Sequence, residues 1–176
     1  MKKGLMYMGL LLCFAAACQQ NGKQGKEAFI NELKALEKQV VKTGDASKEP
    51  AASKALVEKT LQFAKAYPKD EATPKRLFFA ADVARGAGEY AKAVQLWGLV
   101  WRNYPEHPKA PMALFLQGFT FDSNLQNTQM AGKYYKDFLK KYPNDSLATQ
   151  VKQLLRVVEI PPDDLVKKFQ NGERQN

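Results

Sequence analysis

The dipeptide Tyr-Pro occurs at Tyr67-Pro68, Tyr104-Pro105 and Tyr142-Pro143, at spacings of 37 and 38 residues. Each proline lacks a backbone donor and pushes the tyrosine before it out of the α region, so each dipeptide ends a helix. A chain punctuated at such an interval builds from repeated units, none of which can bury its apolar face alone. Ala93, Leu96, Trp97, Val100 and Trp101 return 38 residues later as Ala131, Tyr134, Tyr135, Phe138 and Leu139. The stripe is wide enough to meet neighbours on more than one side. Pro74, Leu77, Ala81 and Ala84 return 37 residues later as Pro111, Leu114, Gly118 and Phe121. The change of offset places one extra residue in the turn around Asn124 to Asn127. Small residues at Ala81, Gly118, Ala93 and Ala131 let paired helices approach closely.

No stretch after residue 26 alternates as a strand does, while apolar residues recur at three and four residue spacing in one segment after another. The fold class is all-α. Helices are expected near 26–42, 52–66, 72–86, 89–103, 109–123, 127–141 and 145–157, with a short one near 162–170. Gly, Pro, Asn and Asp separate them.

These residues resemble the tetratricopeptide repeat (TPR), a unit of about 34 residues with a small eighth residue, alanine at the twentieth, an aromatic at the twenty-fourth and proline at the thirty-second. Residues 74–107 fit without gaps through Ala81, Ala93, Trp97 and Pro105, and 111–145 fit with one insertion through Gly118, Ala131, Tyr135 and Pro143. A first unit keeps Leu56, Phe63, Tyr67 and Pro68 but has Thr60 where the aromatic belongs, and its partner helix, with Phe29, Leu33, Leu36 and Val40, departs from the pattern. The resemblance implies a TPR helical-hairpin solenoid with two good repeats over 69–145, a degenerate N-terminal one over 28–68, and a C-terminal capping helix and tail over 146–176. Leu147, Val151, Leu154 and Leu155 suit the cap. Beyond it, Leu165, Val166 and Phe169 follow Pro161-Pro162 and can pack back, and the tail frays from Gly172.

Lys2 and Lys3 precede an apolar run from Leu5 to Ala17 that stops at Cys18 and gives way to Gln19, Gln20, Asn21 and Gly22. The run has the layout of a secretory signal and falls short of the roughly 20 apolar residues that span a bilayer. Phe14-Ala15-Ala16-Ala17-Cys18 resembles the lipobox of bacterial lipoproteins, whose cysteine is acylated. Residues 1–17 are thus expected to be a cleaved signal peptide, Cys18 the lipidation site, and 18–27 a polar tether. Cys13 leaves with the signal, so Cys18 has no disulfide partner within the mature chain. Several acyl chains together hold a protein to a membrane far more firmly than one.

The formal charge of +9 falls to +7 once Lys2 and Lys3 leave. Export removes nucleic acid as a partner, and the lysines from Lys23 to Lys75 alternate with Glu27, Glu32, Glu37, Glu58, Asp70 and Glu71 as solvated helix faces do. With the lipobox, Lys140-Lys141-Tyr142-Pro143-Asn144-Asp145 and Gln117-Gly118-Phe119-Thr120-Phe121 make the chain similar to the TPR lipoproteins of the outer-membrane β-barrel assembly machinery and to related periplasmic TPR coordinators. That resemblance implies an envelope protein, lipid-anchored to the outer membrane and facing the periplasm.

Groups for chemistry are scarce. His107 lies in the linker Pro105-Glu106-His107-Pro108 and reads as a turn residue. Asp163 and Asp164 after Pro161-Pro162, and likewise Asp70 and Asp145, suit helix starts, where carboxylates meet the positive end of the dipole. No cluster has zinc or calcium spacing. No catalytic residue, metal, cofactor or small-molecule substrate is expected.

Binding is the expected work, to an envelope protein or a short peptide segment. The inward positions two, five, nine and twelve of the TPR unit fall on Lys75, Phe78, Asp82 and Arg85, then on Met112, Phe115, Phe119 and Asp122. Phe78, Phe115 and Phe119 are the candidate anchors, although Phe78 and Phe79 are consecutive and one of them faces the core. Phe79 and Leu116 stand where a clamp for terminal carboxylates would place polar groups. The alternatives are an accessory protein or enzyme of cell-wall metabolism, which would need paired carboxylates in a cleft where the sequence shows none, and which a hydrolytic activity lost on Ala substitution at Asp82 and Asp122 would favour, and a purely structural spacer.

Overall fold

The computed structural model of the chain describes residues 25–160. Its repeating element is a turn. Tyr67, Tyr104 and Tyr142 leave their helices with φ of −130°, −133° and −129° and ψ of 59°, 57° and 56°. Each tyrosine N–H still donates to the carbonyl four residues back, on Phe63, Val100 and Phe138, at 2.8, 2.9 and 2.8 Å.

Three residues further on stand Asp70, His107 and Asp145, whose N–H groups donate to the tyrosine carbonyls at 3.1, 3.0 and 3.2 Å. Their own carbonyls accept from Thr73, Ala110 and Ala148 at 3.0, 2.8 and 2.9 Å. Their side chains accept from the backbone N–H two residues ahead: Asp70 Oδ1 from Ala72 at 2.8 Å, His107 Nδ1 from Lys109 at 3.1 Å, and Asp145 Oδ1 from Leu147 at 2.9 Å. Such a bond between a side chain and the chain just ahead fixes a turn.

Seven α-helices and no strand form among the described residues: α1 (25–42), α2 (Pro50–Ala66), α3 (Thr73–Gly86), α4 (Tyr90–Asn103), α5 (Ala110–Ser123), α6 (Thr128–Lys141) and α7 (Ala148–Val158). A 3₁₀ turn at Ala46–Lys48 joins α1 to α2, with the Asp45 side chain accepting from Ser47 N–H at 3.0 Å. The helix expected from 145 starts at Ala148 because Asp145 is occupied by the turn. Pro50 opens α2 two residues before the expected start, since a proline ring suits the first helical position. The tether expected over 18–27 is already helical from 25, where Lys26 pairs with Asp70. That pairing, then the Ala72 N–H, holds the Asp70 carboxyl below its ordinary range. The rest of the tether, the signal peptide, Cys18 and the short helix near 162–170 lie outside the described residues.

Successive helices pack as antiparallel neighbours, α2 on α3, α3 on α4 and so on to α7, which makes a helical-hairpin solenoid. Two apolar clusters run through it. The larger joins α3 to α7 and contains Leu77, Ala81, Leu96, Trp97, Leu114, Tyr135, Phe138 and Val151. Each such leucine contributes roughly 1.5–3 kcal/mol by leaving water. The smaller gathers Leu33 and Val40 of α1, Leu56 and Phe63 of α2, and Val83 of α3. In the first unit Thr60 is buried where Trp97 and Tyr135 stand in the others. Phe29 compensates from α1, its ring meeting Phe63 edge-on at 5.7 Å.

Within each good unit the small residues permit close contact. A Cβ on Gly118 would lie 3.0 Å from the Tyr135 ring. The turn inside the second unit, 87–89, takes its positive φ at Gly88 (80°), whereas the longer turn 124–127 takes it at Gln126 (50°). The extra residue therefore sits where the offsets put it, and Asn127 caps α6 by accepting from Met130 N–H at 2.9 Å.

Between the units lies a buried polar clamp. Trp101 Nε1 donates to Gln117 Oε1 at 2.7 Å, and Gln117 Nε2 donates to the Val94 carbonyl at 2.9 Å. Gly98 leaves the room, since a Cβ there would come within 3.0 Å of Gln117 Nε2. The clamp ties α5 to α4 across the unit boundary.

Candidate interaction face

The first helices of the units, α1, α3 and α5, present a common face. Arg76 of α3 reaches Glu37 of α1, Nη1 to Oε1 at 2.6 Å. Lys109, the residue just before α5, lays its ammonium 5.0 Å from the centre of the Phe78 ring on α3, a cation–π contact.

The expected groove residues divide by depth. Lys75 and Asp82 are exposed; Arg85, Met112, Phe119 and Asp122 are half-buried. Phe78 and Phe115, expected as partner contacts, keep only 8% and 7% of their surface and belong to the larger core cluster. Buried in that cluster, their rings have little surface to offer a ligand. Phe119 alone of the three retains a usable surface, stacked on Phe115 with centroids 5.8 Å apart. Phe79, next to Phe78, packs instead against the smaller cluster.

The carboxylates on this face differ in their surroundings. Asp122 Oδ2 accepts from Tyr135 OH at 3.3 Å, and burial together with the Asp122 charge pushes the Tyr135 phenol well above its ordinary range. Asp82 is exposed, yet surrounding protein desolvates its carboxyl and raises its pKa, against the opposing pull of Arg85, Lys109 and the Trp97 indole. Trp97 itself is fully buried, and its Nε1 has no partner in hydrogen-bonding geometry. The indole dipole acts on Asp82 without closing a bond.

Between α1 and α3 opens a recess of about 580 Å³, bounded by Lys34, Glu37, Lys38 and Val41 on one side and Lys75, Arg76 and Phe79 on the other. Periodicity did not reveal it, because α1 departs from the repeat pattern and offers no register to carry across. The one usable signal is Val41, an apolar residue one position off the inward stripe of Leu33, Leu36 and Val40, which stands 60% exposed.

Among the described residues no three His, Cys, Asp or Glu side chains gather as a metal site, and no helix is long and apolar enough to cross a membrane. Rings, cations and carboxylates along one helix face can hold a segment of another chain by apolar contact and charge.

Residues 112–145 match the tetratricopeptide repeat family. The match covers nearly all of α5, all of α6 and the turn that follows, one complete unit of the stack. Units of this family are typically non-catalytic modules that bind other proteins or peptides. No curated protein matches the chain.

Proposed function

We propose that this chain is a membrane-anchored envelope adaptor, which holds another protein against the face of α1, α3 and α5. The observation that carries the reading is the tetratricopeptide unit at 112–145, joined to a face on which Met112 and Phe119 keep apolar surface beside exposed Lys75 and Asp82. The lipobox-like run ending in Cys18 supports the anchor. Gln19 after it is compatible with the outer membrane, and the likeness to assembly-machinery lipoproteins supports a task in outer-membrane protein assembly or envelope coordination.

The test uses the full chain in its native membranes. Met112→Ala with Phe119→Ala leaves the buried Phe78 and Phe115 in place, and circular dichroism establishes that the variant is folded. Site-specific crosslinking through this face should then lose the partner captured by the unaltered chain. An unchanged crosslinked partner in the folded variant refutes the groove. Separately, Cys18→Ser should release the protein from the membrane fraction, and retention there refutes the anchor.

A further inference from the structure

The recess between α1 and α3 has a chemistry of its own. It carries Lys34, Lys38, Lys75 and Arg76 against a single carboxylate, Glu37, and Arg76 already holds that one at 2.6 Å. Arg76 is fixed further by the Phe63 ring, 5.5 Å from its guanidinium carbon. Lys34, Lys38 and Lys75 are exposed, and among the described residues none has a carboxylate within ion-pair distance. Lys34 and Lys38 sit one helical turn apart, a like-charge arrangement that disfavours α1 by itself. Lys75 adds a third positive charge from the facing helix.

Beside these cations the recess exposes apolar surface. Val41 is the most exposed large hydrophobic side chain among the described residues, and half-buried Phe79 lines the recess from the facing helix. Three exposed cations beside apolar surface favour an occupant that brings carboxylates and an apolar side chain together.

We infer that the recess docks an acidic segment of the partner protein, with an apolar side chain against Val41 and Phe79 and carboxylates toward Lys34, Lys38 and Lys75. This rests on the adaptor reading and names the partner's chemistry. The carboxylates are internal side chains, since Phe79 stands where a clamp for a chain terminus would need a polar group.

The probe is a fluorescein-labelled peptide of Glu and Ser around one central Phe, acetylated and amidated so that it has no terminal charge. It is titrated against the full chain by fluorescence anisotropy, beside a Lys counterpart carrying the same label. The acidic peptide should bind, the Lys peptide should not, and binding should weaken as salt shortens the screening length. The triple variant Lys34→Glu, Lys38→Glu, Lys75→Glu should weaken binding about tenfold or more, as expected when three exposed charge contacts are reversed. Lys133→Glu, Lys140→Glu, Lys152→Glu makes the same change in net charge away from the recess and should stay within about twofold. Val41→Ser should erase the preference for the Phe peptide over one with Gly in its place.

Equal losses in the two triple variants would overturn the inference in favour of attraction by net charge alone. So would absence of binding by the acidic peptide. If binding fails while crosslinks still depend on Met112 and Phe119, the adaptor reading stands and only the acidic occupant falls. Circular dichroism of each variant separates lost binding from lost fold.

Discussion

Replacing Gln117 by Met tests whether the polar clamp couples neighbouring units. The substitution keeps the side-chain length and removes two hydrogen bonds, from Trp101 Nε1 at 2.7 Å and to the Val94 carbonyl at 2.9 Å. The Val94 carbonyl lies within α4 and keeps its helical partner, so it loses only a second bond, about 1 kcal/mol. The indole N–H loses its only acceptor in a buried site, which costs about 1–3 kcal/mol. Methionine burial returns roughly 1 kcal/mol, leaving a net destabilisation of about 2 kcal/mol. Trp101→Phe alone should also destabilise, because it strands Gln117 Oε1. The double variant removes donor and acceptor together, so its loss should fall short of the sum by about 1–2 kcal/mol. Urea unfolding followed by far-ultraviolet circular dichroism measures all four chains. Because the clamp crosses a unit boundary, Gln117→Met should also lower the m-value, as units begin to unfold separately. Additivity within about 0.3–0.5 kcal/mol would refute the coupling.

Two further expectations concern the turns. His107 accepts from the Lys109 N–H only while Nδ1 is unprotonated, and burial, then the Lys109 charge, lowers its pKa. With the folded value below the unfolded one of about 6.5, its contribution is complete above that pH and is lost as pH falls through the folded value. His107→Asn, which keeps an acceptor that does not titrate, should therefore show a smaller fall in urea midpoint between neutral and mildly acidic pH, and an identical fall would refute the role. Gln126 holds φ at 50°, a conformation that costs a side chain about 1–2 kcal/mol. Gln126→Gly should raise stability by about 0.5–1 kcal/mol in thermal unfolding, and a lower melting temperature would count against strain at this position.

What could be read from the chain depended on how local the cause was. A proline acts on its own neighbours, so the three Tyr-Pro stops and most helix limits follow from the residues themselves. Register then says which side of a helix a residue takes. It does not say how deep the residue lies: Phe78, Phe115 and Phe119 share one side, yet the first two are buried in the core cluster and the third is half-buried. Gln117 occupies the repeat position held one unit earlier by buried Ala80. Its partner is Trp101, 16 residues away, and its space is opened by Gly98, so no local pattern announces it. His107 shares a repeat position with Asp70 and Asp145 through the 37 and 38 residue spacings, but its equivalence as an acceptor needed geometry. The recess beside Val41 belongs to a helix without the repeat's signature, where the template is silent.

The shared turn also makes the units exchangeable. Backbone angles at Tyr67, Tyr104 and Tyr142 agree within a few degrees, so the chain just before Thr73 and just before Ala110 arrives in the same direction. Residues 73–109 form a cassette bounded by identical joints. Duplicating it adds two helices without a new kind of junction, and deleting it brings α2 onto α5 through a turn the chain already uses. The reach of such a protein toward its partner is therefore adjustable in whole steps, with the joint held constant and the length left free.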